Sequence, residues 1–163
     1  MELYIPTEKF TLIPKHLYRP EYPEEMFAVG KNETVKCIEL HKHNAILSFA
    51  APAENNEQIK PLIYKLIEIS DTLQEHNKIV INYSPDNKTT YLIAMEGEKL
   101  LLANTYRTSD IKGLLYFLTL AVQQVMFNPL HTRITSFGSM NHDDIKILEE
   151  YFCGVTVIDN NKL

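Results

Sequence analysis

KIVINY-SPDNK-TTYLIAM-EGEK-LLLANTY, residues 78–106, is the stretch whose reading decides the fold. Three runs rich in branched and aromatic residues (78–83, 89–95 and 100–106) are separated by two groups of turn formers, Ser84-Pro85-Asp86-Asn87-Lys88 and Glu96-Gly97-Glu98. Connections this short join strands that run in opposite directions, so the stretch predicts a three-strand antiparallel meander. Downstream the apolar period changes to that of a helix. Ile111, Leu114, Leu115, Leu118, Ala121, Val122 and Val125 make a wide stripe, which predicts a central helix. Thr108 or Ser109 is placed to cap it, and Asp110 favours its positive N-terminal end. Asn128-Pro129 ends it, TRITSF (132–137) predicts another strand, and Gly138 lets the chain turn. Asn141 caps a last helix over 143–152, Gly154 terminates it, and 155–158 adds an edge strand. The order β-β-β-α-β-α predicts an α/β or α+β domain with a mixed sheet.

Upstream the elements are shorter. Residues 10–14 (FTLIP) start a strand that proline stops. Residues 19–30 (RPEYPEEMFAVG) predict a brief helix closed by Gly30. Residues 34–40 and 44–50 predict two paired strands around His41-Lys42-His43. From Glu57, a stripe of Ile59, Leu62, Ile63, Leu66, Ile67 and Leu73 predicts a helix with Pro61 near its start. The expected organisation is a smaller β-β-α segment over 1–77 and the β-β-β-α-β-α unit over 78–163.

Composition excludes several classes. The chain has 163 residues, 45% of them apolar and 23% charged, which suits one domain or two small subdomains and argues against disorder. With a net charge of −5, nucleic-acid binding would need a local basic patch. Tyr18-Arg19 and Tyr106-Arg107 are too scattered to build a stacking platform, so no nucleic-acid partner is expected. Residues 1–10 lack the basic start and apolar run of a targeting segment. The most apolar stretch, 113–127, is too short to span a bilayer and contains Gln123 and Gln124. A cytoplasmic location without membrane insertion is the expectation, with Cys37 and Cys153 as simple thiols.

Catalytic motifs are sparse. There is no glycine-rich phosphate loop of the Walker or dinucleotide type. Ser139, His142 and Asp143 lack a nucleophile elbow, and capping explains Asn141 and Asp143 more simply. Nuclease chemistry needs convergent carboxylates for two metals, and Asp86 alone is suitably placed. If the strand continued through His41 and His43, both would share a face with Cys37 and Glu39, half of a zinc site. Alternation with Val35, Ile38 and Leu40 equally describes a half-exposed strand. The expectation is therefore no catalytic residue and no metal ligand set.

The succession FTLIPKHLYRPEYPEEMF, NAILSFAAP, KLLLANTYRTSDIKGLLYFLTLAVQQVMFNP and TRITSFGSM resembles a Bacteroidetes family of unknown function. Its members are described as having an actin-like ATPase fold. The most specific part is Ala103-Asn104-Thr105-Tyr106 with Asp110 and Tyr116-Phe117-Leu118, followed by the strand ending at Gly138. The likeness spans roughly Glu8 to Ile158, and family members carry a further N-terminal portion. It implies a ribonuclease-H-like unit over 78–163. Actin-like ATPases hold phosphates with backbone amides in turns, an acid for the metal and glycines for close approach. The matching turn here, residues 84–89, offers Asp86 and Thr89 but no glycine, and Pro85 removes a donor. The adenosine turn is matched by Phe137-Gly138-Ser139-Met140, with one glycine instead of a pair. The resemblance thus favours a non-catalytic protein without cofactor, acting through a protein partner or self-association. Tyr22, Met26 and Phe27, in segment 18–27, are the expected contact patch, although they could equally pack on the body of the protein. The alternative is ATP with Mg bound by Asp86, Thr89, Gly138 and Ser139, in a cleft that a second copy could complete.

Overall fold

A computed structural model of the chain describes residues 2–54 and 58–159. They form two compact units, divided between Lys65 and Leu66.

In the first unit, β1 (Leu3–Ile5) is followed by β2 (Phe10–Pro14), α1 (Tyr22–Met26), β3 (Glu33–Leu40), β4 (Ala45–Pro52) and β5 (Ile59–Pro61). β2, β4 and β3 form an antiparallel sheet in that order, with Leu12 and Ile38 both opposite Leu47. β1 and β5 make a separate parallel pair. Phe49, Ala51 and Ile59 form a small core, packed by Ile5, Phe10 and Ile38. Two sequence expectations are corrected here, the closing of α1 and the start of the second helix, while the expected hairpin around residues 41–43 is present. α1 ends at Met26 because Phe27 is already extended, with φ −149°, so Gly30 does not close it. Residues 41–43 form a 3-10 turn and Asn44 turns left-handed with φ 50°, so His41 and His43 do not continue the face of β3. Ile59 is in a strand, because Pro61 holds the residue before it out of the helical region. The helical stripe therefore begins only with α2 (Leu62–Thr72).

The second unit contains β6 (Asn77–Ser84), β7 (Thr89–Glu96), β8 (Lys99–Tyr106), α3 (Ile111–Gln124), β9 (Arg133–Phe137), α4 (His142–Glu149) and β10 (Gly154–Ile158). The sheet order is β10-β9-β6-β7-β8. β6, β7 and β8 are the expected antiparallel meander, while β9 lies parallel to β6 and β10 parallel to β9. This is a mixed α/β architecture, built on the β-β-β-α-β-α order with a closing edge strand. Inner strands are covered on both faces, and β7 is buried at every residue from Thr89 to Met95. On one face Ile79, Ile81, Leu92, Ala94 and Ile134 pack with Leu114, Leu118, Ala121 and Val122 of α3 and Leu148 of α4. The tight β7–β8 turn needs Gly97, whose φ is 58° and whose N–H donates to the His76 carbonyl at 2.7 Å. Among the described residues, no helix is long and apolar enough to cross a membrane.

Candidate functional site

The sheet directions of the second unit gather three connections at one end. β6, β8 and β9 all finish there, so the β6–β7 turn, the β8–α3 connection and the β9–α4 connection are neighbours. Asp86, Thr89, Gly138 and Ser139 lie on or beside these connections, and the polar groups of Thr89 and Gly138 are tied back into the protein. In the β6–β7 turn the Lys88 N–H donates to the Pro85 carbonyl at 3.0 Å, with Lys88 left-handed at φ 54°. The Thr89 hydroxyl donates to the Asn87 carbonyl at 3.1 Å, and the Asn87 amide donates to the Ser84 hydroxyl at 2.9 Å. Thr89 is buried, whereas Asp86 is exposed. Gly138 has φ 99°, its N–H donates to the Ile158 carbonyl at 2.8 Å, and its carbonyl accepts from the Ser136 hydroxyl at 3.1 Å. Ser139 is exposed beside it.

The helix starts at this end are also occupied. Asp110 itself caps α3 by accepting from the Gly113 N–H at 2.8 Å. The sequence reading placed the cap on Thr108 or Ser109, but the Thr108 hydroxyl turns inward to the buried Thr90 hydroxyl at 2.6 Å. Asn141 caps α4 through the Asp143 N–H at 2.8 Å. Beneath them the tyrosine Tyr83 is buried, and burial first, then the carboxylates of Asp144 and Asp110, push its hydroxyl pKa up. A phosphate cradle needs amides free to converge on an anion. Pro85 has none to give, the amides of Lys88 and Gly138 are spent on carbonyls, and the buried tyrosine faces carboxylates. These residues therefore fit a bound triphosphate poorly. No group of three or more His, Cys, Asp or Glu among the described residues could hold a metal.

Segment 18–27 divides into packed and outward residues. The Tyr18 hydroxyl lies 3.3 Å from the Cys37 Sγ, which is 3.2 Å from the Ser48 hydroxyl. The bond to Cys37, with some burial, raises the Tyr18 pKa. The Arg19 guanidinium sits 4.2 Å over the Tyr22 ring and hydrogen-bonds its hydroxyl. Tyr22 and Phe27 are half-buried, while Met26 is 64% exposed.

Sequence reasoning missed a second set of exposed apolar side chains. On the outward side of α3 and just beyond it, Tyr116 is 61% exposed, Leu120 41%, Met126 89% and Leu130 69%. Tyr116 is held edge-on to Phe117 at 5.1 Å, and Phe117 stacks on Tyr106 at 4.7 Å, so the aromatic ring is mounted on a rigid base. Residues 113–130 include no charged side chain, and Lys112 is the single charge of the helix. That gap in charge, together with Tyr116 and Leu120 four residues apart and off the buried stripe, was the readable signal.

The architecture has a counterpart among solved structures. A chain from Bacteroides thetaiotaomicron VPI-5482, described as a protein with actin-like ATPase fold and unknown function, is similar with a TM-score of 0.76 and 19% identity. The similarity covers 96% of this chain and 67% of that one, and at this identity it shows the fold alone. No curated protein matches. A family model described as "Protein of unknown function (DUF3822)" matches residues 32–155. The protein thus has an actin-like ATPase fold and belongs to the DUF3822 family.

Proposed function

We propose that this protein is a non-catalytic module that works by protein–protein contact, using its actin-like fold as a rigid carrier. The observation that carries this reading is the exposure of four large apolar side chains, Tyr116, Leu120, Met126 and Leu130, around the charge-free stretch 113–130. Large apolar and aromatic side chains cost solubility when left in water, and they match the anchors that dominate protein interfaces. The inward-turned hydrogen bonds of the 84–89 and 137–139 turns support the same reading, since they leave little to grip a nucleotide. Met26 offers a second, smaller contact in the first unit.

The test compares wild type with Leu120→Lys, both immobilised, in binding from a lysate of the native cell, followed by measurement with the purified bound species. A purified partner, or the chain itself, that binds wild type and binds the variant at least tenfold more weakly at unchanged melting temperature supports the reading. Equal binding by the two chains, or no binding by either, overturns it. A separate melt with Mg-ATP tests the nucleotide alternative, and a shift abolished by Asp86→Ala would replace the contact reading.

A further inference from the structure

We infer that the occupant of the α3 face is a second copy of this chain, packed antiparallel across a two-fold axis that passes between Tyr116 and Leu120. This rests on the contact reading above and names its partner. The first argument is charge. A two-fold interface sets each surface against itself, so a charged face meets its own sign. The chain carries −5 overall, and α4 presents Asp143, Asp144 and Glu149, with the exposed Glu150 following. Two copies meeting there would oppose carboxylate to carboxylate. The outward side of α3 contains no acid and one lysine near its start, so two copies meet there without that repulsion.

The second argument is pattern. Lys112, Tyr116, Leu120 and Gln124 are spaced by four along α3 and form one ridge of its surface, with Thr119 and Gln123 beside it. Antiparallel pairing about the midpoint of that ridge sets Tyr116 opposite Leu120 of the second copy. The same operation sets Lys112 opposite Gln124 of the second copy, where the ammonium can donate to the amide oxygen. Apolar thus meets apolar at the centre and polar meets polar at both ends. Such a centre with a polar rim is the arrangement of stable protein interfaces. Met126 and Leu130, which follow the end of the helix, are exposed as well.

The experiment is sedimentation equilibrium of the full chain over about three decades of concentration. Wild type should sediment as a concentration-dependent dimer. Leu120→Lys and Tyr116→Glu should each weaken the dimer at least a hundredfold while leaving the melt of the diluted chain unchanged. Because the pairing places position 120 against position 116, an equimolar mixture of the Leu120→Lys and Tyr116→Glu chains should recover dimer that neither forms alone. Met26→Lys should leave the dimer intact. Wild type that stays monomeric throughout, or a dimer indifferent to both substitutions, overturns the inference. A mixture that fails to recover overturns the antiparallel register. If wild type is monomeric yet a different purified protein binds it and loses affinity for Leu120→Lys, self-pairing fails and the contact reading stands.

Discussion

Thr108 lies in a segment of polar residues before α3 and reads as a surface cap, yet it is buried, with its hydroxyl 2.6 Å from that of Thr90. A one-sided replacement strands a buried hydroxyl, so Thr108→Val should cost about 1–3 kcal/mol in urea denaturation. The double change Thr90→Val with Thr108→Val should cost less than the two single changes summed, because both polar partners leave together. Tyr83 makes a prediction in pH. Its folded pKa lies above the ordinary tyrosine value near 10, through burial and the carboxylates of Asp144 and Asp110. The native state therefore favours the neutral phenol, and the associated stability is complete below pH 10 and declines as pH rises through the folded value. Melting temperatures followed from pH 9 upward should fall more steeply for wild type than for Tyr83→Phe. At this scale the capping of α4 by Asn141 was legible, since Asn before a helix has one dominant use. The cap of α3 was not, because Thr108, Ser109 and Asp110 all qualify chemically and only the buried position of Thr90 takes Thr108 out of contention.

At the scale of the element, α3 carries two surfaces on one helix. Leu118 is fully buried against the sheet, so Leu118→Ala should cost about 2–5 kcal/mol by leaving a cavity. Leu120, two residues on, points outward, and Leu120→Ala should change chemical stability by less than about 0.5 kcal/mol when measured on the diluted chain. Just past the end of α3, Met126 has a left-handed φ of 59°, unfavourable for a residue with a side chain, and is 89% exposed. Met126→Gly should therefore stabilise the chain by about 0.5–1 kcal/mol in the same denaturation assay. A residue that strains the backbone and sits in water gains nothing in the single chain, which fits a contact made elsewhere. Periodicity located α3, the meander strands and α4, because each has enough repeats to show its period. It misassigned Ile59 and missed β1 and β5, because strands of three residues show no period and exist here only by pairing with each other.

For the whole molecule, the decisive prediction concerns nucleotide. A ligand at one hundred times its dissociation constant adds about 2.7 kcal/mol to stability, so Mg-ATP binding would shift the melt visibly. The contact reading expects no shift with millimolar ATP or ADP plus Mg, for wild type and Asp86→Ala alike. The mixed sheet was legible as a whole, because turn chemistry forces β6, β7 and β8 into a meander and the helix between β8 and β9 allows a return parallel to β6. Local sequence thus determined the longer strands and helices, where the meander turns, and the α/β class that follows from their order. Those properties depend on neighbours a few residues apart, through period, turn residues and caps. Tertiary structure alone decided which polar groups are spent: the Gly138 amide on the distant Ile158, the Thr108 hydroxyl on Thr90. It also decided that Met126 and Leu130, beyond the last turn of α3 and outside any helical period, stay exposed, whereas Tyr116 and Leu120 lie opposite the face that α3 must bury.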